Sequence, residues 1–360
     1  MNMLLKKFNI PLLLFPFLIF SLGFMSLLST APEKANSQIG FFFVGVLIYL
    51  LTSVFDYKLL KKHWKFFYIF IVLSLLLTAI LGEVRSGSSR WINLGFFVYQ
   101  PSEFAKVAVV MTLASLLSAS YFSFDSGKKV LKLFLLIIPV TVLVFLQPDL
   151  GTALIIFGLF LGVLFFAGFN KLYFVVSFLL MASISAPIWS ILKDYQKKRV
   201  LVFLNLYVDE LGAGYNVSQS LISIGSGKLL GKGFGSGTQS HLKFLPIYWT
   251  DFIFASFAEE WGFIGVILLL LLYTFLLITI LYVCNKTKDL YGKLLCMGVF
   301  FIFFFQYLIN IGMNLSLLPV TGIPLSLVSY GGSSLISSMF LLGLVQSIWI
   351  QSKAPITFIE

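Results

Sequence analysis

The sequence predicts an all-α polytopic membrane protein of ten transmembrane helices, with one large extracytoplasmic loop between the seventh and eighth spans. Three observations predict it. First, 59% of the 360 residues are hydrophobic and only 11% are charged, whereas soluble domains run at about 45–50% apolar and about 25% charged. Second, ten apolar runs recur along the chain, each near the ~20 residues that cross a bilayer. Third, lysine and arginine segregate to alternate connections between those runs, as the positive-inside bias requires.

The runs fall at 8–29, 39–56, 65–82, 101–119, 130–146, 150–168, 171–192, 252–283, 290–318 and 322–350. Lys6 and Lys7 precede the first. It is longer than the 7–15 residues of a signal-peptide core, so it is expected to remain as a helix. Pro11, Pro16, Pro139 and Pro187 lie in or near spans, where neighbouring helices tolerate kinks. An even span count puts both termini on one side. If that side is cytoplasmic, it gathers Lys7, the lysines between Lys58 and Lys65, those between Lys128 and Lys132, Lys171, those between Lys286 and Lys293, and Lys353. The short outer connections keep only Lys34, Arg85 and Arg90, and the long segment 193–250 faces outward. The whole chain, 1–360, then forms one membrane domain.

The net charge of +11 is accounted for by that bias and by anionic lipid, so nucleic acid is not an expected partner. Cys284 and Cys296 both fall near a cytoplasmic edge, which argues against a disulfide framework. His63 and His241 lie on opposite sides, so no histidine-rich metal site is expected, and His241 alone is available outside.

Spans four, six, eight and ten run from outside to inside, and each opens on a polar signature. Gln100-Pro101-Ser102-Glu103 opens the fourth, Gln147-Pro148-Asp149 the sixth and Thr250-Asp251 the eighth; Gly322, Pro324 and Ser329-Tyr330-Gly331-Gly332-Ser333-Ser334 interrupt the tenth. Free N–H groups at helix starts suit anions. A plainer reading has Glu103, Asp149 and Asp251 capping their own helices. Lys106 stands one turn after Glu103, so the two either neutralise each other or turn Lys106 toward phosphate.

The outer segment 82–100 combines Arg85 and Arg90, suited to phosphate, with Trp91, suited to anchoring at headgroup depth, and Phe96. In the long loop, glycines between Gly225 and Gly237 alternate with Lys228 and Lys232, and Lys243 follows. Such a run is either a flexible linker or a mobile cover over an anionic substrate; it lacks P-loop spacing. Asp251 sits where that loop meets an apolar run. A carboxylate there pairs, caps or performs chemistry.

RWINLGFFVYQPSEFAK (Arg90 to Lys106), QPDLGTA (Gln147 to Ala153), FLPIYWTDFIFASFAEEWGFIG (Phe244 to Gly265) and GIPLSLVSYGGSS (Gly322 to Ser334) together resemble the SEDS family of shape, elongation, division and sporulation proteins. INLGFF, NIGMN (Asn310 to Asn314) and GLVQSI (Gly343 to Ile348) resemble its RodA branch more than its FtsW branch. The resemblance implies a peptidoglycan glycosyltransferase of the cytoplasmic (inner) membrane. It would polymerise lipid II on the outer face during cell elongation and shape maintenance, beside a class B penicillin-binding protein and other elongation-complex proteins. It carries the family's essential aspartate onto Asp251 and its cavity residues onto Glu103, Lys106 and Asp149. Two departures stand out: Ile247-Tyr248-Trp249 replaces a usually polar stretch, and Ser326 stands where proline is common.

In the implied reaction Asp251 takes the proton of the acceptor N-acetylglucosamine 4-hydroxyl, and undecaprenyl diphosphate leaves the donor. Arg90, Lys106, Lys228, Lys232 and Lys243 are the expected partners of the diphosphate, with a divalent cation such as Mg2+ or Mn2+ able to share the charge. Helix-start dipoles lower the pKa of Asp251 and desolvation raises it, and the residues alone leave that contest open. Glu259 and Glu260 are expected to be structural. A lipid flippase and a non-enzymatic scaffold are the competing functional classes.

Overall fold

The computed structural model describes residues 7–85, 88–95, 97–119, 127–192, 194–205 and 212–353. Three helices come first, α1 (Ile10–Thr30), α2 (Pro32–Val54) and α3 (Tyr57–Leu81). Three short strands follow, β1 (Glu83–Arg85), β2 (Ser88–Asn93) and β3 (Val98–Tyr99). Next come α4 (Pro101–Leu117), α5 (Gly127–Leu146), α6 (Leu150–Phe166) and α7 (Lys171–Ile191). The long loop holds α8 (Asp194–Leu204), α9 (Ala213–Ser226) and α10 (Thr238–His241), and the chain closes with α11 (Ile253–Lys286), α12 (Leu290–Asn314) and α13 (Gly332–Ser352). Among the described residues, α1, α2, α3, α11, α12 and α13 are each long and apolar enough to cross a membrane; Val130–Leu146 and α6 are shorter apolar helices.

Helix α4 is the axis of the bundle. Every residue from Pro101 to Leu117 except Phe104 is buried, and α3, α6, α12 and α13 pack around it. The outer helices leave many large apolar side chains exposed, Phe66, Ile80 and Phe43 among them, as lipid-facing surfaces do. Helices α2 and α13 pack along their length. Gly343 permits this, since a methyl group there would overlap Thr52 and the Tyr49 carbonyl; small residues let membrane helices approach backbone to backbone. Pro16, Pro139 and Pro187 lie inside α1, α5 and α7.

Three expectations change. The fold is not wholly helical: residues 83–99 form a three-stranded sheet in the order β1-β2-β3, with Glu83 opposite Trp91 and Ile92 opposite Tyr99. Span ten begins at Gly332, not at 322. Positive φ at Gly322 and Leu327 and the ring of Pro324 keep residues 322–331 out of the helix. The Ser329 hydroxyl accepts from the Leu325 N–H (2.8 Å) in place of a helical partner. Span nine ends at Asn314, where the Leu317 N–H turns back to the Gly312 carbonyl at 2.8 Å.

Hydrogen bonds join the starts of α4, α6, α11 and α13 at one end of the bundle. Ser102 donates to Asp149 (3.0 Å), the Gln100 N–H to Ser333 Oγ (3.0 Å), and Ser329 Oγ to the Thr250 carbonyl (2.7 Å). The neighbourhood that the sequence left open is therefore real. Lys61, Lys286 and Lys353 lie at the opposite helix ends.

Candidate active site

Asp251 lies two residues ahead of α11, in a stretch clamped from two directions. Its carbonyl accepts from Asn310 Nδ2 (3.1 Å) and Asn314 Nδ2 (3.0 Å). These two amides lie one turn apart on α12 and are fully buried. Asn310 Nδ2 also donates to the Ile323 carbonyl at 2.7 Å. The Tyr330 N–H donates to the Trp249 carbonyl at 2.9 Å. Residues 249–251 are thus bound to the irregular segment 322–330 and, through the asparagines, to α12.

The Asp251 carboxylate does not cap α11, whose N-cap is Phe252 without a side-chain bond. It faces Gly322 instead. A Cβ at Gly322 would lie 3.3 Å from Asp251 Oδ2 and 3.7 Å from Arg199 Nη1, close to both groups, and the φ of +74° there favours glycine. Arg199 comes from α8 and donates Nη1 to the Val320 carbonyl at 3.4 Å. Burial raises the Asp251 pKa above the usual carboxylate range; Arg199, the Thr250 side chain and Arg90 pull against it, and Asp149 adds to it. The residue as a whole is only half-buried, but its carboxyl lies deep enough for desolvation to win. Burial likewise lowers the Arg199 pKa, with Asp251 opposing.

Beside this couple stands a second one. Arg90, on β2, donates Nε to the Gln147 carbonyl (3.2 Å) and Nη2 to the Pro148 carbonyl, and its Nη1 lies 3.6 Å from Asp149 Oδ1. Asp149 accepts from the Thr152 N–H at 3.2 Å, so it caps α6 as the plainer reading held, and also from Ser102 at 3.0 Å. Trp91 Nε1 donates to Gln100 Oε1 (3.2 Å), and Gln100 Nε2 to Ser102 Oγ (3.1 Å). The β-sheet therefore carries Arg90 into the site. The side chains of Arg85 and Phe96 lie outside the described residues.

One turn further along α4, Lys106 Nζ donates to Glu103 Oε2 at 2.9 Å, and each residue is 1% exposed. Ser337 Oγ adds a bond at 3.4 Å to the same oxygen, while Glu103 Oε1 has no hydrogen-bond partner among the described residues. Lys106 is turned to its neighbour rather than to open space. Between α2, α3, α4 and α13 runs an apolar groove of about 350 Å³, lined by Ile48, Phe67, Tyr99, Phe104, Ile336 and Phe340 among others.

The glycine-rich loop is docked on α11. Helix α11 breaks at Gly262, where φ is +64°. The loop supplies the broken helix with partners: the Lys232 N–H donates to the Glu259 carbonyl (2.9 Å) and the Gly233 N–H to that of Glu260 (3.0 Å). In return the Phe263 and Ile264 N–H groups donate to the carbonyls of Lys228 (2.9 Å) and Leu229 (3.1 Å). Kinked membrane helices re-satisfy freed backbone groups in this way. Glu259 accepts from Lys232 Nζ (2.6 Å), the Thr238 N–H (2.8 Å) and the Gln239 N–H (3.1 Å). Glu260 accepts from the Ser29 hydroxyl. Both glutamates are engaged, Glu259 by the loop and Glu260 by α1. Lys232 is engaged with Glu259, and Lys228 and Lys243 are exposed.

Sequence reasoning missed Arg199, Asn310, Asn314 and Gly322 as site residues. Two amides one turn apart in an apolar span were a usable signal; nothing in the chain order links Arg199 to Asp251. Among the described residues no group of three or more His, Cys, Asp or Glu could hold a metal.

Residues 7–354 match the FtsW/RodA/SpoVE family of cell cycle proteins. The chain belongs to this family. Within it, the chain is 38% identical over 317 residues to the peptidoglycan glycosyltransferase MrdB of Escherichia coli K12, covering 88% of this chain and 85% of that one. It is 32% identical over 407 residues to the peptidoglycan glycosyltransferase RodA of Treponema pallidum, covering 92% and 93%. The crystal structure of Thermus thermophilus rod shape determining protein RodA superposes with a TM-score of 0.74 at 27% identity, covering 97% of this chain and 98% of that one. A chain from a structure described as "Structural coordination of polymerization and crosslinking by a peptidoglycan synthase complex" superposes at 0.82, with 30% identity and 97% and 99% coverage. The family member described here is a RodA-like polytopic membrane protein.

Proposed function

We propose that Asp251 is the general base with which this inner-membrane peptidoglycan glycosyltransferase extends a glycan strand from lipid II. The enzyme class is that of its relatives. The observation that carries the residue assignment is the Asp251 carboxylate itself: it caps no helix, its pKa is raised, and its backbone is clamped by Asn310 and Asn314. A raised carboxylate is a stronger base, and a fixed one keeps its reach to the hydroxyl.

In the proposed step the acceptor N-acetylglucosamine 4-hydroxyl gives its proton to Asp251. Its oxygen forms the new bond to the anomeric carbon of the donor muramoyl residue. The bond from that carbon to the diphosphate oxygen breaks, and the electron pair leaves with undecaprenyl diphosphate. Attack opposite an α-linked diphosphate gives inversion and a β-1,4 bond. Arg90, whose charge reaches Asp251 and whose contact with Asp149 is 3.6 Å, is placed to take up leaving-group charge. Lys106 and Lys232 are paired with Glu103 and Glu259, as Arg90 is with Asp149, so each would meet the diphosphate by sharing or leaving its carboxylate. A cation such as Mg2+ or Mn2+ would meet Asp149 and Asp251, each already faced by an arginine.

The apolar groove beside α4 fits one stretch of the polyprenyl chain. We further assign ten spans, α1 to α7 and α11 to α13, with both termini cytoplasmic and the site on the outer face. The lysine-rich helix ends support that orientation. A class B penicillin-binding protein is the proposed partner, supported by likeness to the chain from a synthase complex.

Asp251→Asn, purified and given lipid II, is expected to make no glycan while retaining wild-type elution and helicity. Glycan of normal yield from that variant would refute the assignment. Movement of lipid across liposomes without any glycan from the wild type would support a flippase instead.

A further inference from the structure

Helix α8 presents Tyr195 and Arg199 one turn apart, on the same face. Tyr195 Oη donates to the Pro148 carbonyl at 3.5 Å, Arg199 lies over the Tyr195 ring at 5.6 Å, and its Nη1 donates to the Val320 carbonyl at 3.4 Å. The helix is therefore tied to the turn before α6 and to the segment before Gly322. In that frame, Arg199 Nη1 and Asp251 Oδ2 flank the same glycine, 3.7 Å and 3.3 Å from where its Cβ would stand. Arg90 acts on Asp251 in the same sense but more weakly, and it is tied to Gln147, Pro148 and Asp149.

We propose that Arg199 is a positioning residue for Asp251: from across Gly322 its guanidinium fixes where the carboxylate sits and keeps it ionised for the acceptor hydroxyl. The inference rests on the reading of Asp251 as the base. Among the described residues, the charged groups that act on Asp251 are Arg199, Arg90 and Asp149. Helix α12 contributes only the amides of Asn310 and Asn314, and Ser329 reaches Thr250 rather than the carboxylate. Of the effects that oppose desolvation, that of Arg199 is the largest. A base works deprotonated, so activity falls as pH drops through a raised pKa, and removing a nearby cation moves that fall to higher pH.

The test is the pH profile of lipid II polymerisation by purified Arg199→Gln, Arg199→Lys and Asp251→Asn beside the wild type. Arg199→Gln is expected to carry its acid limb to higher pH than the wild type, losing about tenfold in kcat on the acid side and recovering most of it on the alkaline side. Arg199→Lys, which keeps the charge, is expected to hold the acid limb near its wild-type position. A loss equal at all pH values, showing a merely structural role, would overturn the inference. So would a rise in KM with an unmoved acid limb, which would mark Arg199 as a diphosphate ligand. If Arg199→Gln does not fold, Arg199→Met, which keeps the length of the stem without the charge, must move the acid limb the same way. Glycan synthesis by Asp251→Asn would sink the base assignment itself; an inactive Asp251→Asn beside an unmoved Arg199→Gln limb would sink this inference alone.

Discussion

The Asp251 carbonyl is the joint through which α12 positions the base, and a double-mutant cycle on its two donors isolates that joint. Asn310→Leu keeps side-chain volume and removes the donors to Asp251 and Ile323. Asp251 O retains Asn314, while the Ile323 carbonyl loses its side-chain donor, at a cost of about 1–3 kcal/mol for a buried orphan. Asn314→Leu leaves Asp251 O with Asn310 but also removes the donor to the Asn310 carbonyl (2.8 Å) and the oxygen that accepts from Ser220 (3.3 Å), at about 0.5–1.5 kcal/mol for each bond. Only the double variant strips both donors from Asp251 O. It is therefore expected to exceed the sum of the singles by about 1–3 kcal/mol, the price of a newly orphaned acceptor. Denaturant unfolding in detergent measures the stability cycle. Polymerisation kinetics should show kcat falling about tenfold in Asn310→Leu and about a hundredfold in the double, with KM little changed, because the defect is misplacement of the base. Stabilities additive to within about 0.5 kcal/mol would refute the shared-acceptor reasoning.

Breaking the buried Glu103–Lys106 pair by Lys106→Met should cost about 3–5 kcal/mol, and adding Glu103→Gln should recover much of it; yield of folded protein and unfolding midpoint decide this. Gly231→Ala would drive a methyl group into the Glu260 carbonyl, so the loop must undock from α11. Proteolysis between Lys228 and Lys243 should then quicken at least tenfold, and an unchanged rate would count against docking. Glu259→Gln, which weakens the ion pair with Lys232 and the bonds from Thr238 and Gln239, should quicken the same cleavage more mildly while leaving the span itself inserted.

The bundle was legible because its signals are local. Length of apolar run, lysine placement and proline at helix starts depend on residues close in the chain, and most observed helix starts lie within a few residues of the expected ones. The second and third spans open earlier than hydropathy suggests, at Pro32 and Tyr57, because proline at the first turn and the Asp56 side chain capping at the Lys58 N–H begin the helices in polar sequence. The sheet at 83–99 escaped notice because its strands are too short to show alternation above a Gly/Ser-rich background. The loop misled for a related reason: glycine signals either flexibility or close backbone approach, and the choice is made by Glu259, Glu260 and Gly262, which lie about thirty residues away.

Composition and order determined that this chain dissolves in a bilayer, which helix ends meet water, and that Asp251 stands at such an end. They did so because transfer of apolar and charged groups between water and lipid is a property of each segment on its own. Which groups face that aspartate was decided only by tertiary structure. Arg199 reaches it from α8, Asn310 and Asn314 hold it from α12, and Gly322 makes room between arginine and carboxylate. Coulomb forces, desolvation and hydrogen bonds act over a few ångströms of space, and residues far apart in the chain come within that range only once the helices have packed.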